Sequence, residues 1–223
     1  MDKEIDILQA NMRIENTWTQ AGRTFYTGTI RGVDCVLARS GIGKVNAAIT
    51  ASLMLDNERL EMLINIGVAG GINNMAVGDI ALATGIAYFD VNLQGIDDIP
   101  YGQMPGSPLI RKTDSVLTDK TEYILKEADI AYCKGVLLTG DMFVTDMDYL
   151  SQIINNVDDS IAVEMEGMAI AEVAAAFDVP FVSLRGISDK IGGSESESYA
   201  MNVNDISKKT TQVVLHWLDH ING

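Results

Sequence analysis

The chain has 223 residues, 47% of them hydrophobic, enough for a substantial globular core. No apolar run approaches the roughly 18–20 residues of a membrane span, and the charged, amphipathic opening MDKEIDIL is not a signal peptide. A formal net charge of −15 with no basic patch argues against nucleic acid as a partner, and against capture of a phosphate-bearing substrate by bulk electrostatics.

In chain order, residues 33–39 read as a short apolar strand, followed by the turn Ser40-Gly41-Ile42-Gly43 and a helix over 44–56 rich in alanine and leucine. Residues 62–66 read as a buried strand ending in Gly67-Val68-Ala69-Gly70-Gly71. Further strands are expected at 80–88, 135–138 and 180–184, an alanine-rich helix at 169–177 and a long closing helix at 205–220. Buried strands alternating with helices predict an α/β fold with one domain over 1–223, in which helices cover both faces of a central, mostly parallel mixed sheet. Ligands of such three-layer α/β/α folds gather at the carboxyl ends of the strands. Cys35 and Cys133 sit far apart in apolar runs, as buried free thiols of a reducing, cytoplasmic compartment would. His216 and His220 stand one helical turn apart without a third ligand, so no metal is expected.

Four segments could carry chemistry. Ser40-Gly41-Ile42-Gly43-Lys44 can present backbone N–H groups to an anion, but it lacks Walker A spacing and has Val45 where Ser or Thr would hold magnesium. It reads equally as a structural turn. Gly67 to Gly71 would let a ligand approach the backbone closely, or simply make a tight connection. Glu164 and Glu166 sit inside an apolar stretch leading into a helix. Buried carboxylates need partners, and sugar hydroxyls would serve; the alternative is favourable placement near a helix N-terminus. Asp189 follows the strand at 180–184, where a carboxyl could protonate a leaving base or merely cap a turn.

Taken in order, SGIGKVNAA, NIGVAGGI, YGQMPG, TGDMFV, AVEMEGMAIA and VPFVSLRGISD resemble the 5′-methylthioadenosine/S-adenosylhomocysteine nucleosidases, members of the larger nucleoside phosphorylase fold. The resemblance runs along the whole chain. It implies an N-glycosidase that needs no cofactor. Asp189 would be the general acid at adenine N7, with Ser188 orienting it. Glu166 would hold the ribose 2′- and 3′-hydroxyls, with Met165 under the sugar. Phe143 would stack on adenine, and the Val144 backbone would read its edge. Ala69 and Gly70 would form a loop beside the nucleoside, and Glu164 and Arg185 a pair near the attacking water. The opening Met1-Asp2-Lys3-Glu4-Ile5 resembles the family's M-E-E-E-V segment, which makes Glu4 the base that activates water. Adenine leaves readily only when protonated, and the oxocarbenium-like sugar favours nearby carboxylates, so these residue types suit the chemistry.

Two departures stand out. Val68 replaces a serine common in the family's glycine loop, and the strand that the family carries ahead of M-E-E-E-V is lacking, since the sequence begins at Met1. Two alternatives remain at this stage. A purine nucleoside phosphorylase would use phosphate, although Asn65 and Val68 replace the arginine and serine of the hexameric bacterial phosphorylases. A nucleoside-binding protein without catalysis is the other. The resemblance also implies a homodimer. Residues 93–105, with Leu93, Ile96, Met104 and Pro105 in a loop, would lie near the partner's pocket and cover the 5′-thio group.

Overall fold

The structure is a computed structural model that describes residues 2–96, 98–192 and 199–221, with the backbone alone for 2–4 and 199–202. It opens with helix α1 (Asp2–Ala10), whose Ile5 and Leu8 are buried one turn apart. Leu8 packs against Val214, Leu215 and Leu218 near the other end of the chain. A three-stranded antiparallel sheet follows, made of β1 (Met12–Gln20), β2 (Arg23–Ile30) and β3 (Val33–Ala38). Its hairpins close through the pairs Ala21-Gly22 and Arg31-Gly32, all with positive φ, the two-residue geometry that matches strand twist.

Helix α2 (Lys44–Asn57) leads to β4 (Leu63–Gly71) and β5 (Ile80–Tyr88). The short strand β6 (Arg111–Lys112) precedes α3 (Ser115–Glu127), which the Asp114 side chain caps by accepting from the Leu117 N–H. Then come β7 (Tyr132–Thr139), a 3-10 turn (Met147–Leu150), the short helix α4 (Ser151–Ile154) and β8 (Ser160–Glu164). Helix α5 (Gly167–Ala176), β9 (Phe181–Lys190) and α6 (Tyr199–Asp219) complete the chain.

The larger sheet has the order β6-β5-β7-β8-β4-β9, and β9 also pairs with β5. Five strands therefore close into a ring. The longer ladders, β4–β9, β5–β7 and β7–β8, are parallel; β4–β8, β5–β6 and β5–β9 are short and antiparallel. Strand β5 shows why helices cover both faces. Ala81 and Ala83 enter one cluster with Ala47, Ala51, Met168 and Ala171 of α2 and α5. Ile80 and Leu82 enter another with Leu117, Ile124, Val213 and Trp217 of α3 and α6. Each fully buried aliphatic side chain of this kind contributes roughly 1.5–3 kcal/mol. The α/β/α layering expected from the sequence is thus present.

Three expectations are corrected. The segment Gly67 to Gly71 is not a loop at a strand end, because β4 runs through it to Gly71. A Cβ on Gly67 would meet the Arg185 guanidinium at 1.9 Å, and one on Gly71 would meet Ile187 at 2.8 Å. These glycines make room between neighbouring strands rather than turn the chain. For the same reason Ala69 and Gly70 lie in a strand and not in a loop, and β9 carries on past residue 184 to include Arg185, Ser188 and Asp189. The cysteines are half-buried rather than buried.

The two sheets leave edges open. Strand β4 pairs with β9 along its length but meets β8 only at Gly70 and Gly71, and β3 pairs only with β2. Yet β3 and β4 share two apolar clusters. Cys35 and Leu37 pack with Ile64 and Ile66 in one, and Val36 and Ala38 join Leu63 and Ala69 in the other. Among the described residues, the β3 edge away from β2 and the β4 edge over 63–69 have no ladder partner. Unpaired edges are a liability for association. A strand-forming segment of about eight residues fused ahead of Met1 is expected to use these edges and raise the melting temperature. Each kcal/mol gained is worth about 2–4 °C in a chain of this size. Thermal unfolding followed by circular dichroism checks this, and an unchanged midpoint would show that the edges are not available.

Candidate active site

At the end of β8 the chain turns sharply through Met165 and Glu166 into α5. Glu164, 4% exposed, lies beneath this turn. Its carboxylate accepts from the Thr139 hydroxyl, from Arg185 Nη2 at 2.5 Å, and from the backbone N–H groups of Glu166 and Gly167 at 2.7–2.9 Å. Gly167 is required here, since a Cβ would sit 2.8 Å from a Glu164 oxygen. The same Arg185 nitrogen reaches Glu166 at 3.4 Å, and Glu166 also accepts from the Gly43 N–H at 3.0 Å. The glycine turn before α2 therefore does bind an anion, the carboxylate of this chain. Burial pushes the Glu166 carboxyl above its ordinary pKa; Glu164 adds to the rise, while Arg185 and the Gly43 N–H oppose it.

At the end of β9 the Ser188 hydroxyl lies 2.7 Å from Asp189 Oδ1 and 3.3 Å from the Ala69 carbonyl, to either of which it can donate. A register shift between Ala69 and Gly70 sets Gly70 opposite Asp189. The bare Gly70 backbone leaves space for the Ile191 side chain, whose Cγ1 would lie 3.1 Å from a Cβ there, with Asp189 Oδ2 just beyond at 3.4 Å. Beyond β7, Val144 is buried with Phe89, Leu150 and Val163, which anchors the loop while Phe143 stays 59% exposed. Gly140 N–H donates to the Glu164 carbonyl, and Gly192 N–H to the Thr145 carbonyl, so this loop is tied to both β8 and the end of β9.

Strand register joins these parts: Thr139 pairs with Glu164, Val163 with Gly70, and Gly70 with Asp189. The sequence-predicted residues Ala69, Gly70, Phe143, Val144, Glu164, Met165, Glu166, Arg185, Ser188 and Asp189 thus gather at the ends of β4, β7, β8 and β9. Glu4 lies on α1, but its side chain is outside the described residues. Sequence reasoning gave no role to Thr139, Asp90 and Asp141, and read Lys44 only as part of the glycine turn; all four contact this group or border it. Their signal was position: Asp90 and Asp141 each follow a strand by two residues. Among the described residues no group of three His, Cys, Asp or Glu could hold a metal, and His220 instead meets Glu127 at 2.9 Å.

Residues 1–219 match the family model of the phosphorylase superfamily. The 5′-methylthioadenosine/S-adenosylhomocysteine nucleosidase of Bacillus licheniformis is 37% identical over 225 aligned positions, covering 100% of this chain and 96% of the relative. The chain belongs to the methylthioadenosine/S-adenosylhomocysteine nucleosidases. Solved nucleosidases share its fold. That of Neisseria meningitidis, in complex with methylthio-immucillin-A, has a TM-score of 0.92 at 28% identity, covering 99% of this chain and 96% of that one. That of Colwellia psychrerythraea, in complex with adenine, has a TM-score of 0.91 at 30% identity, covering 98% and 91%.

The raised pKa of Glu166 sets a pH dependence for this nucleosidase. The folded chain holds that proton more tightly than the unfolded chain, whose glutamate titrates near about 4.3. Ionising Glu166 therefore removes stability as pH rises from there through the folded pKa. Glu166→Gln keeps an acceptor for Gly43 and drops the charge, so it is expected to raise the melting temperature at pH 7 and to narrow the gap to wild type on acidification. A lower melting temperature at pH 7 would show that the carboxylate is favourable where it stands.

Proposed function

We propose that this nucleosidase hydrolyses the N-glycosidic bond of 5′-methylthioadenosine and of S-adenosylhomocysteine, and of 5′-deoxyadenosine by the same chemistry. Adenine and the 5′-substituted ribose are released, a step of methionine salvage and S-adenosylmethionine recycling. The observation that carries this reading is the placing of two carboxyl groups in different surroundings at joined strand ends. Glu166, its side chain 13% exposed, is held by Arg185 and the Gly43 N–H, while Asp189, also partly exposed, has the Ser188 hydroxyl beside it and no cation in contact among the described residues.

In this reading Asp189 gives its proton to adenine N7 as the glycosidic bond lengthens, and Ser188 fixes the carboxyl for the transfer. Phe143 offers an exposed ring face for stacking, and the Val144 backbone is held for edge recognition by its buried side chain. Glu166 accepts from the ribose hydroxyls, and its negative charge favours the cationic sugar, with Met165 packing beneath. Water adds to the anomeric carbon and loses its proton to Glu4. The oxygens of Glu164 already accept from Thr139, Arg185 and two backbone N–H groups, so Glu164 and Arg185 shape the floor near that water. Water is favoured over phosphate because Asn65 is buried and donates to Ser183 at 3.2 Å, and Val68 offers no hydroxyl.

The reading treats residues 1–223 as one domain working as a cytoplasmic homodimer. Val45 and Ile49, four residues apart on α2, are 68% and 37% exposed, and Ile42, Ile96 and Met104 are exposed nearby in sequence or on the 93–105 loop. A shallow groove of about 390 Å³ runs between Val45, Ala48, Val173 and Ala176 and would seat a second copy. The half-buried free cysteines suit a reducing compartment, and no described helix is long and apolar enough to cross a membrane.

Release of adenine from methylthioadenosine and adenosylhomocysteine, and of hypoxanthine from inosine, with and without phosphate, tests the activity. Release from the two thio-nucleosides that does not depend on phosphate is expected; strict phosphate dependence would overturn hydrolysis. Asp189→Asn should lower kcat by at least about 100-fold, the lower end for a positioned acid, while a thioadenosine analogue still binds. A variant keeping more than a tenth of native kcat would remove Asp189 from that role. Light scattering at micromolar concentration should give twice the chain mass.

A further inference from the structure

Three loops converge beside Glu166, and their polar contacts have no part in the chemistry above. The Lys44 ammonium donates to both Asp90 oxygens, at 2.7 and 2.6 Å. The Lys44 backbone N–H donates to Asp141 Oδ1 at 2.8 Å, and the Asp141 N–H donates to Asp90 Oδ2 at 2.8 Å. Asp141 Oδ2 lies 3.9 Å from the same ammonium, so one cation faces two carboxylates. The joints admit no extra atoms. A Cβ on Gly43 would lie 2.9 Å from Asp141 Oδ1, and one on Gly140 would lie 2.5 Å from the Phe89 ring. The ammonium also sits 5.2 Å from the centre of the Tyr88 ring.

The location gives this cluster leverage. Gly43, adjacent to Lys44, donates to Glu166 on the ribose side. Phe143, two residues beyond Asp141, stands on the adenine side. A shift of residue 141 against residue 44 therefore moves the stacking ring relative to the sugar-binding carboxylate. Lys44 and Asp90 keep 22% and 18% of their side-chain surface exposed. Pairs open to water contribute little to stability, but hydrogen bonds that hold two binding loops in register reduce the ordering cost of binding.

We propose that Lys44, Asp90 and Asp141 form a latch that sets the adenine-side loop against the ribose-side loop, so that these three are positioning residues for substrate binding. The assignment of the two sides rests on the function proposed above.

The test measures adenine binding by calorimetry and methylthioadenosine turnover by adenine release. Lys44→Met removes the ammonium and leaves the backbone bond. It is expected to raise the adenine Kd and the substrate KM together by about tenfold, with kcat falling less than about threefold, the pattern of a lost binding contribution. Lys44→Arg should recover most of the affinity, and Asp90→Asn in the Lys44→Met background should recover part by removing the repulsion between the acids. Native-like adenine binding by Lys44→Met, or a fall in kcat alone, would overturn the latch, as would a loss that neither second change repairs. If Lys44→Met does not fold by circular dichroism, Asp141→Asn is measured in the same way, with a smaller joint rise expected; unchanged Kd and KM would then refute the proposal. Wild-type protein that binds adenine but releases none from methylthioadenosine defeats the proposed function and leaves the latch to be judged on binding. Wild-type protein that binds no adenine defeats both.

Discussion

The end of the sheet that carries the candidate active site depends on one buried ion pair. Glu164 and Arg185 have side chains only 1% and 5% exposed, and each charge would be expensive there without the other. The pair spans two strands of the ring, and its needs dictate the residues around it. Thr139 must bring a hydroxyl, α5 must begin where its first N–H groups can point at a carboxylate, and Gly67 and Gly167 must carry no side chain. Removing either partner of such a pair leaves an uncompensated charge, at a cost of roughly 3–5 kcal/mol. That is a large part of the roughly 5–15 kcal/mol that holds a domain folded. A buried pair is weak evidence of net stability, since desolvation offsets much of the attraction between the charges. What it provides is a guanidinium held under Glu166.

That guanidinium resolves a conflict in the sugar site proposed at Glu166. A carboxylate needed to receive hydroxyls must stay largely out of water, yet dehydration disfavours its charge, and Glu164 nearby adds repulsion. Arg185 and the Gly43 N–H offset part of this. At the end of β9, in the same cluster of strand ends, Asp189 has a different setting, with one serine hydroxyl beside it and solvent within reach. Environments that differ in this way allow two residues of one chemical type to serve opposite purposes.

The layers of the fold could be read from the sequence because a strand buried on both faces, such as β5, is apolar along most of its length, with Thr84 its one exposed position. The hairpins of the small sheet could not. Ala21-Gly22 and Arg31-Gly32 adopt left-handed backbone without the Asn-Gly or Asp-Gly pair that announces such turns. The glycine-rich run at 67–71 misled in the opposite sense. Glycine signals a turn and a close approach alike, and only the Arg185 side chain crossing over Gly67 tells them apart. Glu164, Glu166, Arg185 and Asp189 were legible as chemistry-bearing groups in apolar surroundings. The link of Lys44 to Asp90 and Asp141 was not, since these are charged residues 46 to 97 positions apart until the fold sets them in contact.

The closed ring of strands has a consequence for how the chain reaches this state. Strand β9 is the last strand along the chain, and it supplies two of the closing ladders, one to β4 and one to β5. On a ribosome, residues 63–88 emerge more than ninety positions ahead of the strand that must lie between them. Until residues 181–190 arrive, β4 and β5 have open flanks and the Glu164 carboxylate has no cation. Ladders between such distant segments form slowly, because the loop must close before any contact rewards it. The final step of sheet assembly is therefore also the step that completes the candidate active site, so a nascent chain gains its ring and the floor of that site together.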